Sequence, residues 1–274
     1  MPELPEVEHA RRQLDAWLTG KTIAAAHAPA SRLLRPGTPA ALEKALVGKK
    51  VRAVERRGKW LRIVLSDGAT LHSHLGMTGK WVQRAVKDPS PKAEKLRLDL
   101  AGRHPTVRLL DPRMFGRLLV VAANAAGTNA EPDHLEGLGP DPIADGIDPA
   151  YLARELAGSK QSTKVRLLDQ RLLAGIGNIQ ATEALWRAKL DPRKRGGELT
   201  VKEVRALASG LRWTLERTLA AQADEEIVYL GEREAKNIFK VYGRAGEPCP
   251  RCRQTLTRII QGGRSTTFCP SCQL

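Results

Sequence analysis

The chain has 274 residues, 42% of them hydrophobic, which gives room for about two domains with proper cores. Its formal net charge of +15 and pI near 10.0 point to a polyanionic partner; nucleic acid comes ahead of a lipid surface because no basic helix with a strong apolar face stands out. No apolar run reaches the ~18 residues that cross a bilayer, and Met1–Arg12 holds three glutamates and no apolar leader core, so no membrane partner and a cytoplasmic location are expected.

Behind the initiator methionine the chain opens Pro2-Glu3-Leu4-Pro5-Glu6-Val7-Glu8. Proline is small enough for that methionine to be removed, which leaves a secondary amine followed at once by a carboxylate. An α-amino group has a pKa near ~8 against ~10.4 for lysine, so far more of it is unprotonated at neutral pH. A secondary amine that attacks a sugar carbon gives a permanently cationic iminium, an electron sink suited to covalent catalysis. Read alone, the same residues also fit two prolines stiffening an irregular start. Val7, Ala10, Arg11, Leu14 and Leu18 recur at helical spacing and predict a helix over 7–18, stopped near Gly20.

From Ile23 to about Val121, short segments such as Trp60–Leu65 and Leu96–Leu100 alternate apolar and polar residues between Gly, Pro and Asp. That pattern predicts a sandwich or barrel with one helix attached, over residues 1–121. Residues 122–150 read as an interdomain linker. They carry Glu131, Asp133, Glu136, Asp141, Asp145 and Asp148, and no Lys or Arg lies between Arg117 and Arg154. Helical periodicity returns over 151–156, 165–173, 179–188 and 200–219, within a helical domain spanning 151–235. Residues 236–274 form a cysteine module.

All four cysteines lie in that module, as Cys249-Pro-Arg-Cys252 and Cys269-Pro-Ser-Cys272 with 16 residues between the pairs. Two such knuckles supply four thiolates to one tetrahedral zinc, and no position is left for water, so the metal is structural. The alternative is a reduced cluster without metal. None is left over for a disulfide framework, as expected in a reducing cytoplasm. Between Lys236 and Leu274 there are seven cations and one anion, which suits contact with a phosphate backbone.

Other motifs are weaker singly. Gly175-Ile176-Gly177-Asn178-Ile179 follows Lys160, Lys164 and Arg166. It reads either as a turn whose N–H groups and Asn178 amide cradle a phosphate, or as a plain helix–helix turn. Lys59 is one cation of the basic run Arg56-Arg57-Gly58-Lys59. His72 and His74 lack a third ligand, so a metal pair there is poorly supported. Gly76 and Gly79 bracket Met77, and Asp111-Pro112-Arg113-Met114-Phe115-Gly116 forms a second turn. Apolar tips beside an arginine are wedges that open a base stack, or else plain core.

Taken together and in this order, Pro2–Glu8, Arg57–Leu61, His74–Gly79, Asp111–Gly116, Gly175–Ile179, Val241-Tyr242-Gly243-Arg244 and the four cysteines resemble the formamidopyrimidine-DNA glycosylases, Fpg or MutM, nearly end to end. The resemblance implies an α+β multidomain fold: a two-layer β-sandwich with an N-terminal helix, a helix–two-turn–helix domain and a C-terminal zinc β-hairpin. It implies a monomeric, bifunctional DNA glycosylase and AP lyase with one structural zinc. Its partner would be double-stranded DNA containing oxidised bases or abasic sites, its targets oxidised purines such as 8-oxoguanine and formamidopyrimidines, and its end product a β,δ-eliminated strand. By matching position, Pro2 is the nucleophile, Glu3 the acid at the opening sugar and Glu6 a residue that orders the site. Lys59 assists β-elimination and Arg264 grips phosphate and assists δ-elimination. Met77, Arg113 and Phe115 fill the gap left by a flipped nucleotide, and Lys160 and Asn178 hold phosphates. Cys249, Cys252, Cys269 and Cys272 hold the zinc.

Two departures stand out. Where relatives carry His-x-His before the strand near Leu96, this chain has Lys92-Ala93-Glu94-Lys95, and Lys95 is the expected substitute contact. Where relatives have Gly-Gly-Thr-Thr in the base-binding loop, it has Asp224–Gly231, which leaves lesion choice less fixed than reaction type. The rival readings are an endonuclease VIII-type enzyme for oxidised pyrimidines and a non-catalytic zinc-hairpin binder of nucleic acid.

Overall fold

The computed structural model describes residues 2–123, 134–222, 226–230, 232 and 235–274. Residues 124–133 of the expected linker, and 224, 225 and 231 of the divergent loop, lie outside the described residues. The chain forms two compact units, and the division falls within its first residues. Pro2 belongs to the first unit with 6–136 and 224–233; residues 3–5 belong to the second with 137–223 and 234–274.

The first unit holds α1 (Leu4–Leu18) from Glu6 onward, and the helix begins three residues before the apolar periodicity does. Pro5 sits in its opening turn, where the missing N–H would have had no partner anyway. The predicted strands form two antiparallel four-stranded sheets. One has the order β1 (Ile23–His27), β6 (Glu94–Leu100), β7 (Thr106–Leu110), β5 (Lys80–Arg84). The other has the order β2 (Val51–Arg57), β3 (Trp60–Leu65), β4 (Thr70–His74), β8 (Arg117–Val121). Alternation puts Leu61, Ile63 and Leu65 of β3 into the shared core with Leu14 and Leu18 of α1 and Leu96 and Leu98 of β6. A second helix, α2 (Pro39–Leu46), accompanies the expected one. Its start has a legible signal: the Thr38 side chain accepts the Ala41 N–H, and Pro39 fills the first turn.

β4 also buries His72 fully, with its Nδ1 3.0 Å from His134 Nε2. Burial first, then the neighbouring His134 and Arg62, push this imidazole down to about 3 from an ordinary value of 6.5. The unfolded chain therefore binds a proton below pH 6.5 that the fold refuses, so stability is complete above that value and falls as pH drops toward 3. The urea midpoint should decline between pH 7 and pH 5, and His72→Gln should flatten that decline. Equal slopes in both proteins would refute the assignment.

In the second unit, α3 (Pro149–Leu156) is capped by Asp148, which accepts N–H groups from Ala150 and Tyr151. The helix expected over 165–173 is a correction: α4 (Thr163–Arg166) ends at once and turns follow. Side chains there take the bonds a helix would make. Asp169 accepts the Arg171 N–H, while the Gln170 amide accepts from Gly175 and donates to the Leu168 and Ile176 carbonyls. Next come α5 (Asn178–Ala188) and α6 (Val201–Ala220); Thr200 and Glu203 close a reciprocal capping box on α6. Leu4, Leu152, Leu156, Leu185, Leu207 and Leu211 share this unit's main core. β9 (Thr257–Gln261) and β10 (Arg264–Phe268) form the terminal hairpin. No helix among the described residues is long and apolar enough to cross a membrane.

Candidate functional site

The two glycines before α5 have a use that the sequence did not disclose. A Cβ on Gly177 would lie 2.3 Å from the Glu3 carboxyl carbon, and one on Gly175 would lie 2.5 Å from a Leu4 methyl. Their bareness lets residues 3 and 4 press against this turn, and the Leu4 N–H donates to the Gly175 carbonyl at 3.1 Å. The buried Glu3 carboxylate then accepts the Ile179 N–H at 2.8 Å and the Gln180 N–H at 3.0 Å. These are orphan donors of the helix start, where the dipole favours negative charge. Of the turn's N–H groups, that of Ile179 is thus taken, with the adjoining one of Gln180, by the protein's own carboxylate.

Asn178 links two further pieces. Its Oδ1 accepts from Lys164 Nζ at 2.5 Å, and its Nδ2 donates to the Ser265 carbonyl on β10 at 2.9 Å, one residue from Arg264. Lys164 is fully buried. Burial lowers its ammonium to about 8, against the pull of Glu3 and with the push of Arg264. One cluster in this unit therefore gathers Glu3, Lys164 and Asn178 around the strand that starts with the exposed Arg264. Lys160, the expected phosphate ligand, is exposed; the lysine bonded to Asn178 is Lys164, four residues further on and inside α4. Its place in the basic run ahead of the glycine turn was the available signal.

The hairpin module is held to α5 by a second buried acid. Glu183 accepts the N–H groups of Lys240, Val241 and Tyr242 at 2.8, 2.8 and 2.9 Å, which fixes the Val241–Arg244 motif. The four cysteine sulfurs lie within 4.8 Å of one another, with Cys252 and Cys269 at 3.4 Å. A zinc with bonds of about 2.3 Å to four sulfurs spaces them at roughly 3.8 Å, so the donor set fits. The thiols cannot all ionise unaided. Burial raises Cys249, yet N–H groups of Arg251 and Cys252 outweigh it and bring it down to about 6; burial and its neighbours push Cys272 up to about 12. A dication resolves that conflict, and these four residues hold one structural zinc whose contribution is to folding.

Arg251, inside the first knuckle, stacks 4.4 Å from the Trp186 ring and donates to the Trp186 carbonyl. Cys252→Ser should lose metal, shift a tryptophan emission that Trp186→Phe removes, and lose DNA affinity. A metal-free protein with full affinity would refute the structural role.

The first unit carries the other expected residues. Lys59 follows Gly58 in the β2–β3 turn and is one of the charges that, after burial, lower His74 to about 4. Glu6 is buried and, after burial itself, is the charge that raises the Tyr229 hydroxyl most. Tyr229 and Ile227, in the divergent loop, join the sandwich core; the Tyr229 hydroxyl donates to the Gly79 carbonyl at 2.6 Å. Met77 is half-buried, Arg113 is exposed, and Phe115 is 49% exposed. Asp111, fully buried, ties their two loops by accepting from Thr78 Oγ1 and the Gly116 N–H, both at 2.8 Å. Lys95 is 9% exposed, with its ammonium on the Lys92 carbonyl at 3.1 Å.

A Pro2-Glu3 pair whose carboxylate caps α5, together with a basic four-thiolate hairpin, is the arrangement of a zinc-hairpin protein of nucleic-acid chemistry. Residues 1–118 match the formamidopyrimidine-DNA glycosylase N-terminal domain, 138–228 the formamidopyrimidine-DNA glycosylase H2TH domain, and 246–274 the zinc finger found in FPG and IleRS. The chain belongs to the formamidopyrimidine-DNA glycosylase family. It is 39% identical over 294 residues to that glycosylase from Paracoccus denitrificans, covering 100% of both chains. It is also similar to solved structures of the Lactococcus lactis Fpg. The complex with DNA containing an abasic site gives a TM-score of 0.86 at 33% identity, over 99% of each chain. The complex with DNA containing FAPY-dG gives 0.86 at 31%, again over 99% of each.

Proposed function

We propose that this chain is a DNA glycosylase and AP lyase of base-excision repair that removes oxidised purines and then opens the strand. The observation that carries the reading is the setting of Glu3. The residue next to the Pro2 nitrogen has both carboxylate oxygens on α5 N–H groups, so nucleophile and acid are fixed one peptide apart.

Glu3 takes the proton that the Pro2 ammonium sheds to expose its lone pair, that lone pair attacks C1′ of the damaged nucleotide, and the glycosidic bond breaks toward the base, which leaves with the remaining N–H proton. Glu3 then returns its proton to the ring oxygen as the sugar opens, which leaves an iminium between Pro2 and C1′. Loss of a C2′ proton expels the 3′ phosphate, a second elimination expels the 5′ phosphate, and water releases Pro2. Lys59 and Arg264 bind those phosphates and assist the two eliminations. Glu6 orders the base site. Lys160 and Asn178 take backbone phosphates, with Lys164 holding the Asn178 amide in register. Lys95 reaches a phosphate only by leaving the Lys92 carbonyl. Met77, Arg113 and Phe115 occupy the space of the extruded nucleotide, which offsets the few kcal/mol that extrusion costs. The zinc acts by holding β9 and β10, and so Arg264, in place. The working compartment is the cytoplasm, where thiols stay reduced.

The test is a panel of duplexes containing 8-oxoguanine, a formamidopyrimidine or an oxidised pyrimidine, each with borohydride added. Purine release with cross-linking through residue 2 is expected. Release of the pyrimidine alone would favour the endonuclease VIII-type reading, and absence of any cross-link would leave a non-catalytic binder.

A further inference from the structure

Arg32 lies outside every motif described above, at the start of a short 3₁₀ turn (Arg32–Leu34). Its guanidinium donates Nη2 to the Arg113 carbonyl at 2.7 Å and Nε to the Met114 carbonyl. The same group lies 4.9 Å from the centroid of the Phe115 ring, while the Arg113 guanidinium lies 5.1 Å from it. Met114, between them, has a φ of +54°, a left-handed conformation that non-glycine residues adopt at a cost. Its neighbour Phe115 is a half-exposed aromatic in a chain with only three phenylalanines. A turn in that conformation, carrying an aromatic toward solvent, needs an outside hold. Asp111 supplies one through the Gly116 N–H, and Arg32 supplies the other.

We propose that Arg32 is the positioning residue of the 113–115 turn: it pins two successive carbonyls and stacks on Phe115, so the ring is already presented before DNA arrives. This rests on the reading that Phe115 and Arg113 fill the gap in the duplex. A planar, multi-donor group is required, because lysine offers a single ammonium that cannot hold two carbonyls and face a ring at once. Arg32 touches neither the sugar nor the base in this account. Its effect should therefore appear only where a base stack must be opened.

The experiment measures single-turnover excision from paired duplex beside borohydride trapping on an abasic site in single-stranded DNA, where no stack needs opening. Arg32→Ala should slow duplex excision by ~10- to ~100-fold, the range for a displaced positioning element, with single-strand trapping within about twofold. Arg32→Lys should recover little of the loss. A 2-aminopurine beside the lesion should brighten more slowly in step with excision. An equal loss on both substrates would make Arg32 a phosphate contact, and an unchanged duplex rate would make it a bystander; either overturns the proposal. Phe115→Ala separates the two layers. If it discriminates duplex from single strand and Arg32→Ala does not, only the Arg32 inference fails. If Phe115→Ala does not discriminate, the gap-filling reading fails instead.

Discussion

A chain that keeps any residue ahead of Pro2 is expected to give no borohydride cross-link to abasic DNA and to nick it at least ~1000-fold more slowly than the trimmed chain. Acylation turns the secondary amine into an amide whose lone pair is delocalised into the carbonyl, so no iminium can form. Lys59, the turn lysine, is no equal substitute, because its primary amine would give an imine that must be protonated before it acts as an electron sink. Affinity for a non-reacting abasic analogue should stay within about tenfold, since phosphate contacts dominate binding. Pro2→Gly is the companion variant. It keeps a free amine, but a primary one whose imine must be protonated to act as an electron sink, so excision should be slowed strongly while binding persists. A capped chain that nicks at the uncapped rate would remove the nucleophile from the account. Gel assays on matched protein preparations decide it.

The route from residues to this site was legible in some places and hidden in others, for physical reasons. Period-two alternation revealed β3, since each of Leu61, Ile63 and Leu65 needs the core face. The cysteine spacing revealed the metal site because a tetrahedron of thiolates tolerates few arrangements. The first turn of α1 was hidden behind Pro5, a helix breaker everywhere except where it sits. Residues 167–173 kept helical periodicity, but Asp169 and Gln170 diverted the backbone bonds, a competition that apolar spacing does not register. The glycines at 175 and 177 announced a tight turn without saying what approached it. Their partners, Leu4 and Glu3, are 171 positions from Gly175 and 174 from Gly177, and no local pattern encodes such contacts. Arg32 was invisible for the same reason, since its partners are the carbonyls of Arg113 and Met114.

Glu3→Gln is expected to separate the two halves of the reaction. The carboxylate holds two α5 N–H groups, one on each oxygen, and is the charge that draws the buried Lys164 ammonium. A carboxamide has one acceptor oxygen, so its NH₂ must confront one of those donors and the helix start loses its counter-charge. It also cannot pass a proton to the sugar ring oxygen. Base excision should therefore fall by ~100- to ~10,000-fold, the span attributed to a general acid. A preformed abasic site already exchanges with its open aldehyde, so Pro2 can condense with it without that acid. Trapping on abasic DNA should accordingly fall by about tenfold at most. Gly177→Ala supplies the independent check: its new methyl would stand 2.3 Å from the carboxyl carbon and drive an unaltered Glu3 off the helix. It should reproduce the same split between excision and trapping, with the zinc content unchanged. If Glu3→Gln lowers excision and trapping equally, Glu3 serves Pro2 and not the sugar. If Gly177→Ala leaves excision intact, the helix start is not what sets the acid in place.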